Sequence, residues 1–143
     1  MNWLIWALLS AFFAGLTAIL AKMGLTQVNS HLATAVRTVV VLIFTWILAL
    51  SVAPVSALSE LSRRNWVFLI LSGLATGLSW VCYFRALQMG EASRVAPVDK
   101  LSVVFTLILA VLFLKERLGW TQCLGAVLIL AGVLLIAWKP VRG

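Results

Sequence analysis

Five runs of apolar residues, each bounded by polar or turn-forming residues, organise the chain. The first is Trp3 to Ala21, closed by Lys22, and the second is Leu32 to Ala53, stopped by Pro54. The third begins at Trp66 and ends near Leu87, ahead of Gly90; the fifth is Trp120 to Trp138. At ~1.5 Å per helical residue, runs of ~20 residues match a ~30 Å hydrocarbon core. The fourth run needs one more step. Its uncharged part, Leu101 to Leu114, covers only about two thirds of that core, so the helix must begin earlier, near Arg94. That start carries Pro97, Asp99 and Lys100 into the membrane. The pattern predicts an all-α integral membrane protein of five transmembrane helices, forming one domain over residues 1–143.

Small residues mark where helices approach each other. Ala7, Ala11, Ala14 and Ala18, with Gly15 beside them, make one face of the first span. In the third, Ser72, Gly73, Thr76, Gly77 and Trp80 share a face, and Gly73 with Gly77 has the GxxxG spacing. Two readings stand for that face: helix packing, or a solute lying against the glycines with Trp80 and Tyr83 as aromatic walls. Gly125 and Gly132 share a face of the fifth span and mark a pairing seam. Trp3, Trp6, Trp66, Trp120 and Trp138 sit at span ends, the belt positions for indole rings. Pro54 to Asn65 is the longest polar stretch, with room for a short interfacial turn.

Composition excludes a water-soluble domain, since a core of this size cannot hide 64% hydrophobic residues among 143. The first run lacks a preceding Lys or Arg and is too long for a signal-peptide core, so it reads as a retained span. The net charge of +7 does not indicate nucleic acid, because the basic residues stand singly or in pairs at span ends, where membrane proteins place them. Cys82 and Cys123 lie in apolar segments without metal or redox spacing, and read as buried small hydrophobes. One histidine, His31, and no catalytic constellation or phosphate loop argue against an enzyme, and no cofactor or metal is implied.

Five spans put the termini on opposite sides, which sorts the charges. Arg63, Arg64, Lys115 and Arg117 share a side with the α-amino group; Lys22, Arg85, Arg94, Lys139 and Arg142 take the other, with Arg37 and Lys100 inside spans. The near tie leaves the positive-inside rule without a choice, so both orientations are expected. Two opposed copies then pair as an antiparallel homodimer about an axis in the membrane plane, as inverted repeats do within one chain. A parallel dimer and a single-orientation monomer are the other two arrangements.

Three stretches carry a resemblance that covers essentially the whole chain. They are Arg37 early in the second span; Tyr83-Phe84-Arg85-Ala86-Leu87 with the short turn after it; and Lys115-Glu116-Arg117-Leu118 leading into Gly125 to Gly132. In this order the chain resembles the drug/metabolite transporter superfamily, EamA-like, and within it the five-span bacterial and archaeal group. The resemblance implies paired five-span units in a cell membrane, the inner one in a Gram-negative cell, moving small metabolites by alternating access, often outward. Ten-span relatives place a proline deeper in the fourth span; here Pro97 is earlier, followed by the Asp-Lys pair that the five-span group favours.

The second and fourth spans start on the same side, which predicts Arg37 and Asp99 at similar depth, with Tyr83 and Arg85 returned to that level by the third. In one reading Asp99 alternates between Arg37, Lys100 and a proton or cation while Lys100 or Arg37 receives an anionic group. In the other, Arg37 and Asp99 form a fixed pair and Lys100 snorkels. Pro97 either frees the Ser93 carbonyl for a ligand or, in a first turn, starts the helix. Glu116 is expected to accept from a helix end or to meet a partner chain. The function expected is secondary transport of a small metabolite or organic solute, with proton-coupled efflux one form of it. The alternative is a non-transporting membrane protein acting as a packing partner or assembly subunit.

Overall fold

The structure, a computed structural model, describes residues 2–138, so Lys139 and Arg142 of the charge comparison lie outside the described residues, as does the α-amino group. Six α-helices follow in order: α1 (Trp3–Gly24), α2 (Ser30–Val52), α3 (Arg63–Met89), α4 (Ala92–Asp99), α5 (Ser102–Leu109) and α6 (Trp120–Trp138). A short 3₁₀ turn, Val55–Glu60, fills the expected place between α2 and α3. There is no strand among the described residues. The five expected spans are the five found, the fourth being Ala92–Leu114, which contains α4, α5 and one wide turn.

Helix ends differ from the apolar runs by a few residues, for local reasons. The second span starts at Ser30 rather than Leu32 because Asn29 caps it, its Oδ1 accepting from the His31 amide at 2.9 Å. The third starts at Arg63, three residues before Trp66, because Ser62 receives the free amides: Asn65 N donates to Ser62 Oγ at 3.2 Å and Trp66 N to Ser62 O at 3.1 Å. Apolar runs mark the hydrocarbon; caps mark the helix.

The chain divides into two compact units, Leu20–Met89 and the residues before and after it, the division falling within α1 and after Met89. In Leu20–Met89, α2 packs on α3, and Leu25, Ser30, Thr34, Phe84 and Leu87 are buried. The Thr34 hydroxyl donates to the backbone Ser30 O at 2.8 Å, and among the described residues no buried side-chain polar atom lacks a partner. In the other unit α4 and α5 pack on α6, with Ala110 and Val133 buried. Most large apolar side chains of all five spans are exposed, the reverse of a water-soluble fold and the arrangement a bilayer solvates. Cys82 and Cys123 follow this rule: both are exposed, correcting the expectation of burial, since a thin helical unit turns much of each span outward.

Candidate functional site

Arg37 lies seven residues into its span, ~10 Å along the axis from Ser30. Arginine inside a span costs ~2.5–3.5 kcal/mol on insertion scales. Across from it, α3 presents Trp80 and Phe84, four residues apart and therefore on one helix face. The Arg37 Cζ is 4.3 Å from the Trp80 ring centroid and 5.4 Å from that of Phe84. A ring face attracts a guanidinium by ~0.5–2 kcal/mol depending on how far water is excluded, so the two rings offset part of the insertion cost. Tyr83, next to Phe84 in the chain, stands edge-on to it with ring centroids 6.5 Å apart. Of these, Arg37, Trp80 and Tyr83 were legible as candidates. Phe84 was not, although its spacing from Trp80 was the signal.

The end of α3 is clamped by groups that hydropathy does not single out. Lys22, expected only to close the first span, donates from Nζ to Leu87 O at 2.6 Å, satisfying a carbonyl of the last helical turn. Gln88 Nε2 donates to Val28 O at 2.8 Å, and Arg85 Nη1 to Gln88 Oε1 at 3.0 Å. Arg85 thus supports this clamp. These bonds fix the α3 end from which Phe84 and Trp80 reach Arg37.

In the other unit, Asp99 and Lys100 sit where the fourth span breaks. α4 ends at Asp99, and the backbone there tightens: Lys100 N donates to Pro97 O and Leu101 N to Val98 O, each at 3.0 Å. Lys100 Nζ comes within 3.6 Å of Asp99 Oδ2, Asp99 half-buried and Lys100 exposed. Pro97 lies inside α4, correcting the reading that places it in a first turn; it withholds the amide that Ser93 O would otherwise accept. The helix starts at Ala92 because Glu91 already receives amides, from Arg94 at 3.0 Å and Val95 at 2.9 Å.

The same span departs from α-geometry again at its far end. Over Ala110–Leu114 the turn widens, and Lys115 adopts a left-handed φ of 55°. The Glu116 amide then donates to Ala110 O at 3.2 Å, so Glu116 closes the helix end through its backbone while its side chain is exposed.

Gly73 and Gly77 are exposed and Gly125 and Gly132 half-buried. A Cβ built at Gly73, Gly77, Gly125 or Gly132 meets no described atom within 4 Å, so the close approach expected at these faces is not made by the chain's own described helices. A groove of about 230 Å³ lies elsewhere, between the end of α2 and the 3₁₀ turn, lined by Trp46, Leu50, Pro54 and Leu58 among other apolar residues. It holds no charged group and is not where the in-span charges are.

The EamA-like transporter family model matches residues 1–138. An uncharacterised transporter in the cobO 3′ region of Sinorhizobium sp is 52% identical over 136 residues, covering 95% of this chain and 96% of that protein. The uncharacterised transporter YxxF of Bacillus subtilis is 27% identical over 136 residues, which are 92% of this chain but 41% of that protein. A probable 4-amino-4-deoxy-L-arabinose-phosphoundecaprenol flippase subunit, ArnF of Proteus mirabilis, is 38% identical over 64 residues, 43% of this chain and 48% of that one. No solved structure matches the chain.

Proposed function

The chain belongs to the EamA-like transporter family, and on that premise we propose that it is a secondary transporter moving a small metabolite or organic solute by alternating access. It is a multi-pass membrane transporter rather than an enzyme. The finer reading rests on one observation above others: the fourth span is discontinuous, and its first break coincides with its two charged residues, Asp99 and Lys100. Transporters build ion and substrate sites from such interrupted helices, because the loosened backbone and charges can face a cavity instead of lipid. In this reading Asp99 is the coupling acid, releasing Lys100 when it takes a proton, while Arg37 with Trp80 and Tyr83, in Leu20–Met89, is a separate candidate for meeting the solute. Pro97 keeps the Ser93 carbonyl available in the helix that ends at Asp99.

Two copies complete the transporter. Coverage of only 41% makes YxxF more than twice the length of the matched stretch, as expected where one chain carries both halves. ArnF is named as a subunit. With charges nearly balanced across the membrane, we place the second copy antiparallel, with the Gly125–Gly132 face as the seam. The test is a comparison of cells producing the native chain with cells producing Asp99→Asn at equal membrane abundance, by mass spectrometry of solutes inside and outside. The native chain should shift the ratio for at least one solute and Asp99→Asn should not. No shift with the native chain contradicts transport and leaves the assembly-subunit reading.

A further inference from the structure

We propose that Arg37 binds an oxyanion, a carboxylate, phosphate or sulfonate, carried on an apolar body that lies along the Gly73–Gly77 face of α3. This rests on the transporter reading and names the substrate class for it. Three observations lead here. The first is a charge without an anion. Leu20–Met89 contains the cations Lys22, Arg37, Arg63, Arg64 and Arg85 but one carboxylate, Glu60, which lies past the far end of α2. Lys22 is engaged with Leu87 O, Arg85 with Gln88, and Arg63 and Arg64 stand at the start of α3. Arg37 is the cation of this unit that lies well inside a span.

The second concerns what holds Arg37. The rings of Trp80 and Phe84 attract its positive charge but supply no oxygen to its fork of N–H donors. A guanidinium fork matches a carboxylate, phosphate or sulfonate edge, and aromatic support orients it for such a partner. A cationic solute meets repulsion at the same place.

The third is space. Gly77 and Gly73 precede Trp80 by three and seven residues, so all three lie on one side of α3. A side-chain carbon at either glycine meets no described atom within 4 Å, and the Thr76 hydroxyl between them is turned into its own helix, donating to Ser72 O at 2.9 Å. From Trp80 to Gly73 this side of α3 is ~10 Å long, with no described atom against either glycine position. An anion bound at Arg37 has a place for its apolar part.

The probe is radiolabelled octane-1-sulfonate, a permanent oxyanion, with the full chain in nanodiscs of phosphatidylcholine. Saturable binding is expected, about tenfold weaker or more in Arg37→Gln, partly retained in Arg37→Lys, and weakened in Gly77→Leu, which fills this side of α3 without touching charge. Thermal unfolding of each variant reports folding; should Arg37→Gln not fold, Arg37→Lys and Gly77→Leu carry the test. Native-strength binding by Arg37→Gln, or equal displacement by octyltrimethylammonium, overturns the proposal. Discs containing phosphatidylglycerol distinguish the source: competition assigns the site to a lipid headgroup, undiminished binding to a solute, and both uphold an oxyanion site. Sulfonate binding without flux of any solute in proteoliposomes contradicts the transporter reading and leaves this site standing; flux of other solutes without sulfonate binding does the reverse.

Discussion

The Arg37 guanidinium lies 4.3 Å from the centroid of the Trp80 ring, so a charge carried by one span is held by an aromatic face of the next. α2 and α3 are thereby joined by an attraction that strengthens as water is excluded, in a setting where apolar packing against lipid gains little.

Replacing that ring separates its two contributions. Trp80→Phe keeps a smaller π-face and is expected to cost about 1 kcal/mol, while Trp80→Ala loses both the face and the packing and should cost about 2–4 kcal/mol. Thermal unfolding of the purified protein in detergent reads this directly. Equal stability of Trp80→Ala and the native chain would show that the ring contact contributes nothing.

Pro97 lies inside α4, two residues before the helix ends at Asp99. Pro97→Ala restores an amide for Ser93 O and should raise stability by about 1–3 kcal/mol. Because the loosened backbone is part of the proposed site, solute flux should fall as the melting temperature rises. A variant that is more stable and equally active would remove the break from the mechanism.

A side-chain carbon added at Gly125 or Gly132 of α6 meets no described atom within 4 Å. Gly132→Leu is therefore expected to leave the helical content of a single copy unchanged, yet to reduce the dimer recovered by chemical cross-linking in membranes. An undiminished dimer would move the seam to another face.

The sequence made the spans legible because bilayer thickness demands long apolar runs, and such runs are hard to form by chance. Helix ends were less so, since Asn29 and Ser62 act through single local bonds that hydropathy averages away. Arg37, Asp99 and Lys100 stood out by their cost inside the membrane, and Trp80 by sharing the Gly77 face. Phe84 did not, because one more phenylalanine in an apolar run carries no contrast. The Asp99–Lys100 contact was legible as one of the pairings open to Asp99; it forms at 3.6 Å where the backbone tightens at the end of α4, although neighbours on a regular helix diverge by ~100°.

The balance of charge across the membrane predicts orientation. A reporter fused to the C-terminus should be found on both sides of the membrane in comparable amounts, and adding two lysines to one loop should drive it to one side. A native population with a single orientation would exclude the antiparallel pair.

Most direct is a flux measurement on Asp99. Its ion pair with Lys100 is partly exposed and joins sequence neighbours, so Asp99→Asn should change the melting temperature little. Proteoliposomes containing the purified chain are loaded with a ¹³C-labelled cell extract, a pH gradient is imposed, and released solutes are identified by mass spectrometry. The native chain should release at least one labelled solute in a gradient-dependent manner, while Asp99→Asn, equally folded, should release it no faster than empty liposomes. Equal gradient-driven release by both proteins would contradict Asp99 as the coupling acid, and no release by the native chain would contradict proton-coupled transport itself.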